Sequence, residues 1–367
     1  MDAMDNVLTF TAIRGIQAGR EYYAAMCPLK VIPRIFIFDE EELTAELRAQ
    51  RTLNRSRVPE IAAYIVENPR DYIFSSITAS VDGQVHFEAH AEEGNARNIG
   101  RLLIPMTSRF LINDGQHRRA AIEEALKKRP ELGDETISVV FFVDGGLKRS
   151  QQMFADLNRH AIRPTKSIGI LYDHRDPLSQ LARTIVEEVR VFRGLTEIEK
   201  TTISNRSNKL HTLSSIYQAT QALLCKGKRG AIKPSEEKLA IEFWQEVGQL
   251  MPDWQLAAEK KVSCAELRRD FIHSHGLALQ AIGIAGAALT NQHSNWKAKL
   301  ESISRIDWSR SNTKLWEGRA LVGGRVSKAI IHVNLTANHV KKSLGMSLNA
   351  KEKQCEAQLR KERKRAA

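Results

Sequence analysis

The residues that pack the most chemistry into the shortest span are Asp114-Gly115-Gln116-His117-Arg118. The apolar run Phe110-Leu111-Ile112 before them reads as the end of a buried strand. Asp114-Gly115 breaks it, because glycine tolerates backbone angles that other residues avoid. After it, Ala120, Ala121, Ile122, Ala125 and Leu126 repeat at helical spacing, with Glu123, Glu124, Lys127 and Lys128 on the other face. The predicted unit is strand, tight turn, helix. Free N–H groups at a helix start, aligned with the helix dipole, favour an anion. Arg118 offers a planar fork suited to phosphate, and His117 can donate hydrogen bonds or carry a proton. An ordinary connecting turn, with a solvated arginine, would use the same residues.

As a catalytic constellation, the Gly115 and Gln116 amides and Arg118 would hold phosphate. His117 would act as general acid or base, and Asp114 would position water or Mg²⁺. ATP or another nucleoside triphosphate with Mg²⁺ is the cofactor this arrangement would take. No P-loop lysine motif occurs, so a standard NTPase is not expected.

Charge gives a second lead. The 367-residue chain carries a net charge of +12. Residues 200–233 contribute +7 through Lys200, Arg206, Lys209, Lys226, Lys228, Arg229 and Lys233, with no acid among them. Residues 341–367 contribute +6, so the rest of the chain is nearly neutral. Charge concentrated in this way suits a nucleic-acid backbone, although basic runs also serve solubility. Lys209, Lys226, Lys228, Arg229 and Lys233 are therefore candidate DNA contacts, and Lys226-Gly227-Lys228-Arg229-Gly230 reads as a flexible cationic loop. Trp308, Trp316, Gly318-Arg319 and Gly323-Gly324-Arg325 form another candidate cluster. Its glycines allow close backbone approach, and Arg319 and Arg325 could meet phosphate. A packed tryptophan corner with a glycine turn fits the same residues. Ala337 to Met346 is a weak candidate for a DNA-reading helix and turn.

The four cysteines, Cys27, Cys225, Cys264 and Cys355, are far apart and form no C-x-x-C pair, so neither a disulfide framework nor a zinc site is expected. Cys27 reads as a packed small residue rather than a reactive thiol. His273 and His275 read as surface or packed side chains, not metal ligands, and no metal is expected. No apolar run reaches the length of a membrane span, and Met1 to Asn6 lacks a signal core. A cytoplasmic protein without membrane association is expected.

Several further elements follow from pattern. Val31 to Phe38 reads as a strand, with Pro33 suggesting an edge or bulge. Glu40 to Gln50 reads as a helix, as does a stretch opening at Val58-Pro59. Arg51, Asn54, Arg55 and Arg57 cluster just before it as secondary phosphate candidates. Ile73 to Val81 and Gln84 to Ala89 flank Asp82-Gly83 and read as a hairpin. Ile137 to Val143 reads as a buried strand, followed by a helix from about Leu147 to Leu157. From Asp173 onward the pattern is helical, and Gly276, Gly283 and Gly286 would permit close packing. Lys351 to Ala367 has helical composition and is expected to be partly disordered.

Asp114 to Arg118 also resembles the signature of the DGQHR-domain proteins, a branch of the ParB/sulfiredoxin-like superfamily. The likeness extends to Arg51-x-x-Asn54-x-x-Arg57-Val58 with Ala63-Tyr64-Ile65, and to Phe154-Ala155-Asp156-Leu157-Asn158-Arg159-His160. It continues through Asp307-Trp308, Trp316-x-Gly318-Arg319, Gly323-Gly324-Arg325 and Leu335-Thr336-Ala337-Asn338. Within that branch the chain most resembles the DndB-like DNA sulfur modification proteins. The resemblance implies an α+β protein, an N-terminal ParB/sulfiredoxin-like α/β domain followed by a mostly helical domain. The expected boundaries are 1–172, 173–345 and a basic tail, 346–367. It implies that Gly115, Gln116, His117 and Arg118 contact nucleotide phosphates; Asn158, Arg159 and His160 could then close over the ligand, with Arg55 a secondary phosphate contact. Sulfiredoxin-type chemistry needs a cysteine inside the Gly-x-x-Arg turn; here Gln116 stands in its place.

Two functions fit. The first is a DNA-binding regulator that controls transcription of phosphorothioation genes, gated by nucleotide. Its partners would be double-stranded DNA, other proteins of the system and, for a palindromic site, a second copy of the chain. The second is an enzyme, a nucleotide hydrolase or DNA-nicking protein using Asp114, His117 and Arg118.

Overall fold

Ala18 and Gly19 both take positive φ, 51° and 72°, and so close the two-residue turn between β1 (Val7–Gln17) and β2 (Arg20–Pro28). Such a turn matches the twist of antiparallel strands. The hairpin lies in a stretch whose pattern is too mixed to announce a strand. The computed structural model describes residues 7–36, 55–143, 152–153, 156–157, 164–227 and 230–366. It divides into two units, Met1–Ile162 and Arg163–Ala367.

The first unit is a seven-stranded sheet. Its remaining strands are β3 (Ile77–Asp82), β4 (His86–Ala89), β5 (Ile99–Pro105), β6 (Arg109–Asp114) and β7 (Thr136–Val143). Their order is β4-β5-β1-β2-β7-β3-β6, and only the β3–β7 pair is parallel. Helix α1 (Val58–Glu67) packs against α2 (Gln116–Lys128), and both bury apolar faces in the core of this unit.

Two expectations fail here for physical reasons. The hairpin around Asp82-Gly83 does not form. β3 lies between β7 and β6, whereas β4 pairs with β5 at the opposite edge. Ile77, Ala79 and Val81 are fully buried and Ser80 nearly so, which demands neighbours on both sides; β4 is half exposed and suits an edge. The strand expected at Val31–Phe38 is a short helix, Ile32–Ile35, within the described residues. Pro33 sits in its first turn, where its missing N–H costs nothing, and Ile32 and Phe36 are buried at i, i+4 spacing. The helices expected at 40–50 and 147–157 fall largely outside the described residues.

The second unit is mostly helical: α3 (Pro177–Glu188), α4 (Leu213–Leu223), α5 (Pro234–Gln249), α6 (Gly276–Gln292), α7 (Ile330–Ser343) and α8 (Ala350–Ala366), with shorter helices between. α6 is the axis. It packs on α4 and α7, and Leu277 to Leu289 are almost wholly buried along it. Trp244, Trp254 and Trp316 are fully buried around it. The terminal residues expected to be partly disordered form α8 instead. Leu359 is buried, and Arg363 donates to the carbonyls of Lys314, Leu315 and Glu317.

Candidate phosphate-binding turn and nucleic-acid interface

The Asp114–Arg118 turn forms where edge strand β6 hands over to α2. Asp114 pairs with Thr78 across a bulge between Thr78 and Ala79, which bends the strand end beside the turn. Gly115 takes φ +110°, and a Cβ there would lie 3.0 Å from both Arg118 Nη2 and Ile77 Cγ1. Gly115→Ala is therefore expected to cost about 1–3 kcal/mol through backbone strain and displacement of Arg118. Urea unfolding followed by far-UV circular dichroism would measure it; an unchanged midpoint would refute the strained geometry.

α2 begins at Gln116 with no side-chain cap and no acid in its first turn. Its start is thus electrostatically suited to an anion. Arg118 does not project freely. Nη2 bonds Asp114 Oδ2 at 2.7 Å and the Ser76 carbonyl at 3.1 Å, and Nη1 bonds Ser75 Oγ at 2.6 Å. Its buried Nε has no hydrogen-bond partner among the described residues. Burial first, then the positive charges of Arg57 and Arg118, push the His117 pKa below its usual value, while Asp114 pulls the other way. His117 is a neutral imidazole at pH 7, able to accept a proton. Arg57 is exposed at the end of the 3-10 helix Arg55–Arg57, which Arg55 opens and which leads into α1. Asn158, Arg159 and His160 lie outside the described residues. Arg119, which the pattern did not single out, anchors α2: Nε bonds the Phe36 carbonyl at 2.8 Å, Nη2 the Pro33 carbonyl at 3.1 Å and Nη1 Glu123 at 2.5 Å.

A family model described as DNA-sulfur modification-associated (DndB) matches residues 10–347, nearly the whole chain. The chain belongs to the DndB family. No curated protein and no solved structure matches it. As a DndB-family protein it is a component of DNA phosphorothioation, and it is mixed α/β with a helical C-terminal region. No helix among the described residues is long and apolar enough to cross a membrane. No group of three or more His, Cys, Asp or Glu among them could hold a metal ion.

The candidate DNA contacts of this DndB-family chain fall into four groups. Lys233 and Arg325 are exposed, Arg325 on a small hairpin of Leu321–Val322 and Arg325–Val326. Lys209 donates to the Gly194 carbonyl, and Lys226 is paired with Glu236 at 2.9 Å. Lys228 and Arg229 lie outside the described residues. Arg319 departs from expectation. It is 7% exposed and bonds both oxygens of the equally buried Glu356, at 2.7 and 2.9 Å. A guanidinium sealed against a carboxylate inside the unit is not presented to DNA.

Gly323 and Gly324 also differ from expectation. Their N–H groups, at positive φ, already bind the Glu317 carboxylate at 2.6 and 3.2 Å, so an internal anion occupies that turn. Trp308 and Trp316 are a packed corner, stacked at 5.4 Å. The element at Ala337–Met346 is largely buried, with Asn338 and Lys341 bonded to Glu352. Cys27 is fully buried and its thiol is pushed up to about 12, so it is protonated and packed. His273 and His275 are packed as well. His273 bonds Asp253 at 2.9 Å and accepts from Trp254 Nε1 at 3.0 Å, and His275 bonds the Arg268 carbonyl at 2.8 Å.

Proposed function

We propose that this chain is a DNA-binding regulator of a phosphorothioation system, controlling transcription of the modification genes and gated by a nucleotide at the Asp114–Arg118 turn. The observation that supports DNA binding best is the placement of charge. Nearly all of the excess lies in residues 200–233 and 341–367, and Lys209, Lys233 and Arg325 form no ion pair with a carboxylate among the described residues. Unpaired surface cations release counterions from DNA when they bind it. Nucleotide gating is supported by the acid-free, uncapped start of α2 beside Arg57 and His117. A ligand bound there shifts DNA affinity only if it binds one DNA-affinity state better than the other. Double-stranded DNA, other phosphorothioation proteins and a second copy of this chain are the partners this role requires.

Hydrolysis is a second reading, favoured by the neutral state of His117, which equips it as a base. Asp114 is a weaker base candidate, because it is already paired with Arg118.

The test is nucleotide binding by the full chain, with ATP, GTP and CTP in parallel, with and without duplex DNA. A saturable binding event lost in Arg118→Ala, with melting unchanged, supports the turn as a phosphate site. Absence of any Arg118-dependent binding, with every nucleotide, sinks the gating. DNA binding is read separately from its salt dependence. Lys233→Gln and Arg325→Gln are each expected to flatten the slope of log Kobs against log salt by about 0.9. An unchanged slope in both removes them from the interface.

A further inference from the structure

A cavity of about 630 Å³ in the helical unit is in the size range of small-ligand sites, and none of its lining residues is one the sequence singled out as a phosphate site. It is lined by His211, Arg268, Arg310, Lys328, Ser215 and the first residue of α6, Gly276, among others. Three independent features of this lining point to one ligand chemistry.

The first is charge. Arg268, Arg310 and Lys328 form no ion pair with a carboxylate among the described residues. Arg268 instead spends its Nη groups on the carbonyls of Ser204, Ser207 and Lys209. Arg310 does the same with the carbonyls of Arg269 at 2.8 Å and Gly324 at 2.7 Å. The guanidinium groups are thereby fixed in place without an ion pair of their own; Arg310 feels the Asp270 carboxylate, but that group is paired with Arg269. Glu266 is the one lining carboxylate, and it is occupied capping its own helix through Ser263.

The second is the start of α6, a 17-residue helix with no side-chain cap and no acid in its first turn. A Cβ at Gly276 would lie 2.9 Å from Ser215 Cβ, so glycine lets the helix start seat directly on the first turn of α4. The α4 start is satisfied by its own Thr212–Ser215 capping box; that of α6 is not capped in this way.

The third is His211. It is 2% exposed, packs edge-on against Phe192 and Trp254, and has no hydrogen-bond partner on either ring nitrogen among the described residues. Native proteins rarely leave a buried imidazole unsatisfied, and an orphaned polar side chain on a cavity wall marks a place for a polar ligand. Burial and the neighbouring His273, His275 and Arg268 hold it neutral, with one donor and one acceptor to offer.

We infer that this cavity binds a small phosphate-bearing molecule of nucleotide size, its phosphate held by the α6 start with Arg310 and Lys328, and a polar group of the ligand meeting His211. A recessed cavity with fixed arginines suits a small ligand better than a duplex, which needs cations spread on an open surface. The inference does not rest on the Asp114–Arg118 turn.

Calorimetric titration of the full chain with inorganic phosphate, pyrophosphate and ATP tests it. Saturable binding of at least one of them that persists in Arg118→Ala is expected, and this Arg118-independent binding is weakened about tenfold or more by Lys328→Glu and by Arg310→Gln. Lys328 is exposed and makes no hydrogen bond or ion pair among the described residues, so its variant keeps the test valid if Arg310→Gln misfolds. ATP binding tighter than pyrophosphate identifies a nucleotide; equal affinities identify the phosphate group alone, and both support the site. The inference is overturned if none of the three ligands binds the Arg118→Ala chain. It is also overturned if the Arg118-independent binding survives Lys328→Glu, or if that variant loses only duplex DNA.

Discussion

Glu356→Ala is expected to lower the stability of the helical unit by about 3–5 kcal/mol, because it leaves the Arg319 guanidinium buried without a counter-charge. Arg319 cannot shed its proton, and its remaining bond, to the Leu335 carbonyl at 2.5 Å, does not neutralise it. Arg319→Ala is expected to cost less. The Glu356 carboxylate left behind keeps Lys342, at 2.9 Å, and can take up a proton. The double replacement Arg319→Met with Glu356→Leu should recover most of the loss, since a well-packed apolar pair often matches a buried ion pair. Urea unfolding followed by tryptophan fluorescence isolates this unit, because all five tryptophans lie between Trp244 and Trp316. A neutral Glu356→Ala would refute the buried pair.

The same pair gives a pH dependence with a definite sign. Burial pushes the Glu356 carboxyl up, but the hydrogen bonds from Arg319 and Lys342 overcome it and hold the pKa at about 2, against an ordinary 4.5. The folded state thus binds this proton less readily than the unfolded chain. Its contribution, roughly 3 kcal/mol by the shift alone, is complete above pH 4.5 and lost as pH falls toward 2. In Glu356→Gln that portion of the acid sensitivity should vanish.

Gly283→Ala carries the second large effect. A Cβ there would lie 2.2 Å from the Ala219 carbonyl oxygen and 3.0 Å from its carbon. The obstacle is the backbone of α4, which cannot swing aside as a side chain can. The two helices must separate, and the packing on both sides of the contact suffers with them. A loss of about 3 kcal/mol is expected, at the upper end for overpacking. The sign is diagnostic, because Gly to Ala in an unobstructed helix gains up to about 1 kcal/mol. Gly169, with nothing within 4 Å of its would-be Cβ, supplies that control in the short helix Lys166–Tyr172. Equal midpoints for the two variants would deny the close approach.

By itself, the sequence determined features carried by local chemistry. Asp114-Gly115 had to break the chain between a strand and a helix, since only glycine holds φ +110° without strain. The helical face of Ala121, Ile122 and Ala125 was readable from its spacing, and so were the strand over Ile137–Val143 and the small residues Gly276 and Gly283 that let α6 approach α4. The motif series and the concentration of charge were legible for the same reason, each being a property of neighbouring residues.

Tertiary structure decided what depends on partners distant in sequence. Asp82-Gly83 announces a turn, but nothing local says that β3 will enter the sheet centre while β4 goes to its far edge. Arg319 looks like any surface arginine until Glu356, 37 residues on, closes over it. Arg118 looks free until Ser75 and Ser76, more than 40 residues earlier, engage its guanidinium. The cavity around His211 is likewise assembled from residues spread between Thr201 and Lys328. Spacing reports which side chains share a face. Which of them are spent on internal partners, and which remain available to a ligand, is settled only when burial forces every charge and hydrogen-bonding group to find a partner.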